Sequence, residues 1–135
     1  MGPMSRMQAR LFHRFGNRMK VQGMPVLLLT TVGAKTGKVR QTVLCWFPDI
    51  ASSWLVVASG AGSLKHPAWF VNMARNPGQV SIEVGGRQIK VQPQLLRSEE
   101  RAEAWKCITA LAPGYTAYQT RTDREIPITR LQAVA

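Results

Sequence analysis

The chain has 135 residues, 45% of them hydrophobic, and carries 18 Lys and Arg against 7 Asp and Glu, a formal net charge of +11. That length suits one domain with a real core, and no apolar run is long enough to cross a bilayer as a helix. Cys45 and Cys107 form no metal or redox motif, and with His13 and His66 as the two histidines no zinc site is credible, so the thiols are expected reduced and mostly packed.

The N-terminus is basic but lacks an apolar stretch followed by a small-residue cleavage site, so it does not read as a secretory signal, and the cytoplasm is the expected compartment. No acid occurs before Asp49, while Arg6, Arg10, Arg14, Arg18, Lys20, Lys35, Lys38 and Arg40 all precede it. An anionic partner is implied: a cofactor, a membrane surface or nucleic acid. Over Met4–Lys20 the 3.6-residue period places Met4, Leu11, Phe12, Phe15 and Met19 on one face and Arg6, Arg10, Arg14 and Arg18 in a separate stripe. Such a helix can lie on anionic lipid at the inner face of the cell membrane, or dock its apolar face on the domain with the arginines solvated. Gly23 and Pro25 end it, which divides the chain into a basic segment, 1–24, and a folded domain, 25–135.

Val26-Leu27-Leu28-Leu29 is a continuous apolar run, and Thr42 to Phe47 is rich in β-formers. Between them Thr30-Thr31-Val32-Gly33-Ala34-Lys35-Thr36-Gly37-Lys38-Val39-Arg40 makes a glycine-punctuated basic loop. Gly33 and Gly37 allow close backbone approach, and Lys35, Lys38 and Arg40, with backbone N–H groups and the Thr36 hydroxyl, are placed to meet phosphate or carboxylate oxygens. The loop lacks the spacing of a Walker phosphate loop. A solvated hairpin with its lysines in water accounts for the spacing equally well.

Beyond the turn at Pro48-Asp49, Trp54–Ala58 reads as a short buried strand leading into a second small-residue loop, Ser59-Gly60-Ala61-Gly62-Ser63, with Lys65 and His66 just after it. Pro67 opens a helix over Ala68–Asn76 that Pro77-Gly78 closes, and its N-terminus adds a partial positive charge. Val80–Val84 and Gln88–Gln92 alternate cleanly about Gly85-Gly86, a strong hairpin signal. Ser98-Glu99-Glu100 starts a helix whose stripe of Ala102, Trp105, Ile108 and Leu111 runs to Pro113. Ile126–Leu131 is the last strand, with Pro127 pointing to an edge position. This order predicts an α+β domain in which mainly antiparallel strands curl into a small barrel with helices packed outside. Tyr115 and Tyr118, three apart, face the same side of a helical turn, either closing a groove of the barrel or packing in its core.

Three blocks, Gly33 to Arg40, Ala58 to Asn72 and Tyr118 to Pro127, resemble the deazaflavin (coenzyme F420)-dependent nitroreductase family in matching order, and the resemblance runs from about Pro25 to Leu131. It implies a split β-barrel enzyme, without bound metal, that uses the reduced deazaflavin as a two-electron hydride donor. By the same resemblance Ala34, Lys35, Thr36 and Arg40 hold the phosphate and acidic tail. Gln41, Thr42, Val43, Leu44 and Cys45, with Val57, Ala58, Ser59 and Gly60, lie along the ring system. Lys65, Ala68, Trp69, Phe70, Val71 and Asn72 supply further coenzyme contacts, and Tyr115 and Tyr118 border the substrate. Val43 stands where a proline is usual, Cys45 where an aromatic ring is common, Gly60 where many members have lysine, and Ala112 replaces a bulkier residue of some relatives; the changes at Cys45 and Ala112 enlarge the acceptor side.

The expected reaction is hydride transfer to an electron-poor conjugated acceptor, a quinone, enone or nitroaromatic, with a proton from Tyr118, Tyr115 or water. A tyrosine of ordinary pKa near ~10 is a credible acid at neutral pH and a poor base. No nucleic acid and no obligate protein partner are expected. Two other readings stay open: a non-catalytic basic barrel that binds an anionic ligand or nucleic acid, and the same fold carrying flavin mononucleotide, haem or another tetrapyrrole.

Overall fold

A computed structural model of the chain describes residues 20–21 and 24–134. The expected helix over Met4–Lys20 lies outside the described residues, save Lys20, which starts the first strand. Eight strands and three α-helices follow in the order β1 (Lys20–Val21), β2 (Met24–Val32), β3 (Val39–Cys45), β4 (Phe47–Pro48), β5 (Ser53–Val57), α1 (Ala68–Arg75), β6 (Ser81–Val84), β7 (Arg87–Leu95), α2 (Ser98–Leu111), α3 (Gly114–Thr120) and β8 (Ile128–Ala133). Every strand pair is antiparallel, and the sheet runs β1-β2-β6-β7-β8-β5-β4 with β3 also on β2. The result is the expected α+β split barrel. Because Lys20 pairs with Pro25, the β1–β2 hairpin straddles residue 24, and the folded domain takes in Lys20.

Two main apolar layers hold it, with a smaller cluster of Val26 and Leu28 on the other face of β2. The apolar run of β2 puts Leu27 and Leu29 into the barrel interior with Val56, Ile82, Val91 and Leu131, closed by Trp69 and Met73 of α1. The other layer lies against α2 and α3 and contains Phe47, Leu55, Ile108, Ala112, Tyr115, Ile126 and Ile128. Each fully buried Leu or Ile contributes about 1.5–3 kcal/mol relative to exposure, so both layers are needed for a domain of this size. β3 and β4 form one run that bends at Trp46, whose N–H donates to Pro25 O at 3.1 Å. This bend carries the chain from pairing with β2 to pairing with β5. Gly85 and Gly86, at φ 58° and 76°, make the tight β6–β7 turn that their left-handed backbone requires.

Two expectations are corrected. β8 is not an edge strand, since it lies between β5 and β7. Pro127 is tolerated because it precedes the first paired residue, Ile128, and gives only its carbonyl, which accepts the Ala58 N–H at 3.0 Å. The buried stripe of α2 runs through Ala104, Trp105 and Ile108 to Ala112, whereas Ala102 and Leu111 are exposed. Trp105 and Ile108 lie on the packed face as expected, and Arg101 adds to it, its guanidinium 5.2 Å over the Trp105 ring and donating to Ile126 O at 2.7 Å. Where the sequence suggested only a turn, Asp49 makes a two-toothed contact with the buried Arg130. Burial pushes the Asp49 carboxyl up, but hydrogen bonds from Arg130 and Ser53 outweigh it and hold the group below its ordinary value.

Candidate active site

The β2–β3 hairpin and helix α1 enclose a cavity of about 430 Å³. The hairpin contributes Gly33, Ala34, Lys35, Thr36, Arg40 and Thr42, and the helix Ala68, Trp69, Val71 and Asn72. The loop is compact: Gly33 N–H donates to Lys38 O at 2.8 Å, Gly37 N–H to Gly33 O at 2.9 Å, and Lys38 N–H to Thr36 Oγ1 at 3.2 Å. A Cβ on Gly33 would come within 2.8 Å of Thr36 Oγ1, so this close turn depends on glycine. Helix α1 straps the hairpin at two points. Asn72 Oδ1 accepts the Ala34 N–H at 2.9 Å, and Asn76 Nδ2 donates to Val32 O at 3.2 Å.

Lys35 and Arg40 both line the cavity, and among the described residues neither has a carboxylate partner. Lys38 sits on the same loop but does not line it. The side chains of β3 alternate, as a strand requires. Arg40 and Thr42 face the cavity, whereas Gln41 faces a separate small groove with Thr30, its Nε2 3.4 Å from Thr30 Oγ1. Val43 and Cys45 pack with Val26 and Leu28, and Leu44 packs on the barrel core. Val57 and Ala58 are buried in the two apolar layers, Ser59 and Gly60 are half-buried, and Lys65 is exposed. Phe70 turns away from the cavity and packs on His66, ring centroids 4.9 Å apart and planes tilted by 50°.

The tyrosines form a second group. Tyr115 is 7% exposed, edge-on to Phe47 at 5.6 Å and to Tyr118 at 5.5 Å. Burial pushes its hydroxyl well above the usual tyrosine range, and the neighbouring Cys45 and Tyr118 add to this; its hydroxyl and the Cys45 thiol are hydrogen-bond partners. Burial likewise raises the Cys45 thiol, against the pull of that bond. Tyr118 is half-buried, with the Arg121 guanidinium 5.7 Å from its ring centroid. Neither tyrosine lines the 430 Å³ cavity; they lie by Cys45, on the opposite face of β3 from Thr42.

Sequence reasoning gave no role to Gln119 or Arg124. Gln119 Nε2 donates to Arg124 O at 2.8 Å and its Oε1 accepts the Ile126 N–H at 3.0 Å, which fixes the α3–β8 connection. Arg124 reaches across to the 59–66 loop. The one signal was that both residues fall in the third block of the resemblance.

Residues 4–132 match the F420H(2)-dependent quinone reductase family. The chain belongs to that family. Like other F420H(2)-dependent quinone reductases it is an oxidoreductase with reduced coenzyme F420 as cofactor and quinone-type small molecules as acceptors. It is similar to the F420H(2)-dependent quinone reductase Rv1261c of Mycobacterium tuberculosis H37Rv, 38% identical over 107 residues that cover 77% of this chain and 70% of that protein. Among solved structures, an F420-H2 dependent reductase (FDR-A) superposes with a TM-score of 0.70 at 38% identity, covering 80% of this chain and 94% of that one. A protein solved as a domain-swapped dimer superposes with a TM-score of 0.73 at 34% identity, covering 93% and 94%. These matches do not favour a non-catalytic basic barrel or a flavin or haem carrier.

The residues present fit this cofactor. An acidic tail asks for cations and hydrogen-bond donors; Lys35 and Arg40, without a carboxylate partner among the described residues, and the Thr36 hydroxyl supply both at one cavity. Trp69 gives the same cavity a rigid aromatic wall.

Proposed function

We propose that the cavity between the β2–β3 hairpin and α1 holds the acidic tail of reduced coenzyme F420, and that the chain reduces a quinone or a similar electron-poor conjugated acceptor on the tyrosine side. The observation that carries this reading is the convergence on one cavity of Lys35 and Arg40, neither with a carboxylate partner among the described residues, at a rim that Asn72 fixes through the Ala34 N–H. When bound, the reduced coenzyme supplies the hydride.

The chain's own residues bind and orient. Lys35, Thr36 and Arg40 take the phosphate and carboxylates, Thr42, Trp69 and the backbone at Ser59 and Gly60 set the lie of the ring system, and the half-buried Tyr118 gives a proton to the reduced acceptor. Tyr115 supports rather than donates, because it is buried and its hydroxyl is held at Cys45. The small side chains at Cys45 and Ala112 pack with the two rings in one apolar layer, which makes this side of the barrel apolar where the acceptor is proposed to lie. Orientation supplies most of the rate. We further propose that the basic segment before Lys20 attaches the enzyme reversibly to anionic membrane, where apolar quinones concentrate, which vesicle sedimentation tests. No helix among the described residues is long and apolar enough to cross a membrane.

Replacing Lys35 and Arg40 together by Ala should weaken coenzyme binding by roughly 2–4 kcal/mol, as expected for two charge-assisted contacts, and raised salt should partly reproduce the loss. Titration of the coenzyme's own fluorescence reads this directly. A folded double variant with unchanged affinity would refute the cradle.

A further inference from the structure

One side chain spans the glycine loop that follows β5. Arg124 donates from Nη2 to Ser59 O at 2.7 Å and from Nε to Ser63 O at 3.0 Å, and its Nη1 lies 3.2 Å from His66 Nδ1. The loop also backs closely onto the tyrosine helix: a Cβ on Gly62 would lie 2.7 Å from Tyr118 O and 3.0 Å from Arg121 Cβ, and Gly62 has φ 79°. Arg124 is itself fixed, its carbonyl by Gln119 and its N–H by Thr122 Oγ1 at 3.3 Å. Its guanidinium is thus a rigid fork aimed at two carbonyls and an imidazole.

We infer that Arg124 is a positioning residue for the coenzyme loop Ser59–Ser63, and that its contact with His66 makes the closed loop depend on a neutral imidazole. The inference rests on the reading that Ser59 and Gly60 lie along the coenzyme ring. A guanidinium has donors only, so Nδ1 must accept and the ring proton sits on Nε2. Protonation would turn Nδ1 into a donor and set two cations against each other.

The other groups around His66 do not relieve that conflict. Phe70 of α1 packs on it; Arg97 and Ser98, at the start of α2, share its 420 Å³ groove; Lys65 precedes it in the chain. Glu125, the one carboxylate among the described residues of that groove, already pairs with Arg101 at 2.9 Å. His66 is exposed, and partial desolvation with the Arg124 charge lowers its pKa, so the closed loop is complete above about pH 6.5 and is lost as pH falls through the lower folded value.

The test uses the full chain with coenzyme F420 as the probe, reading affinity by fluorescence between about pH 5 and 8 and amide exchange at residues 59–63 without coenzyme. Arg124→Ala should weaken binding about tenfold and speed exchange of the loop; Arg124→Lys, which keeps the charge but cannot span three acceptors, should do nearly as much. Wild-type affinity should fall in the acid limb, and His66→Gln, which can still accept from Arg124 but does not titrate, should flatten that limb. Lys35→Ala should weaken binding at every pH without speeding loop exchange. Arg124→Lys with wild-type affinity and exchange would overturn the positioning role, and an acid limb that persists in His66→Gln would overturn the histidine's part. If Lys35→Ala also bound normally, the cradle reading would fail instead, while loop exchange would still report on Arg124.

Discussion

Two tyrosines three residues apart were indistinguishable in the sequence, and burial separates them. Tyr115 sits between Phe47, Tyr118 and the Cys45 thiol, in surroundings that penalise a phenolate; Tyr118 keeps solvent access. A donor that must be reprotonated every turnover needs that access. Tyr118→Phe should therefore lower turnover with a soluble quinone by up to about 10²-fold and leave coenzyme affinity nearly unchanged, the remaining rate reflecting protonation by water. Tyr115→Phe keeps both edge-on ring contacts and loses only the bond to Cys45, so it should act mainly on stability, by about 0.5–1.5 kcal/mol. Steady-state kinetics beside thermal melts of the two variants decide the matter. A larger turnover loss in Tyr115→Phe would reverse the assignment.

At the scale of elements, the cradle exists because α1 is clasped to a hairpin made of residues far from it in sequence. Asn72 is 8% exposed and spends its carbonyl oxygen on the Ala34 N–H, so its first duty is to the protein. Asn72→Ala leaves that donor unpartnered, which should cost about 1–3 kcal/mol of stability and weaken coenzyme binding. Asn72→Asp keeps the acceptor and so the strap, yet adds an anion to the cavity; it should melt close to wild type while binding worse than Asn72→Ala. If Asn72→Asp bound as well as wild type, the cavity would not be the tail site. What was legible in the sequence was local. Pro67 and Pro77-Gly78 bound α1, Gly85-Gly86 marks its hairpin, and Gly33 to Arg40 marks the loop, because each depends on backbone preferences of adjacent residues. The central place of β8, the exposure of Ala102 and Leu111 on α2 and the reach of Arg124 over 65 positions to Ser59 depend on long-range packing that no local pattern encodes. Of the side chains from Gln41 to Cys45 only Thr42 lines the cavity, since a strand shows alternate residues to one face, an alternation that the block as a whole does not distinguish.

For the whole molecule, the question left by a charge of +11 is how much of it the coenzyme accounts for. Lys35 and Arg40 face the cavity, and Arg101, Lys106 and Arg130 are paired with acids, but none of these explains the stripe of Arg6, Arg10, Arg14 and Arg18 beside Met4, Leu11, Phe12 and Phe15. If that segment lies on anionic lipid, each arginine contributes about 1 kcal/mol near the surface, enough together for reversible attachment and too little for a permanent anchor. Because Lys20 pairs with Pro25, deletion should stop at residue 19, which leaves the β1–β2 hairpin whole. The full chain should then sediment with anionic vesicles at low salt and be released at high salt, while the shortened chain stays in the supernatant and still reduces a soluble quinone. A segment that instead docks on the barrel gives the reverse pattern: no sedimentation of the full chain, and a shortened protein that melts lower or aggregates as apolar surface is uncovered. Full-length protein left in the supernatant at low salt would end the membrane proposal, and the melting curve of the shortened chain would then tell whether those arginines are the solvated face of a docked element.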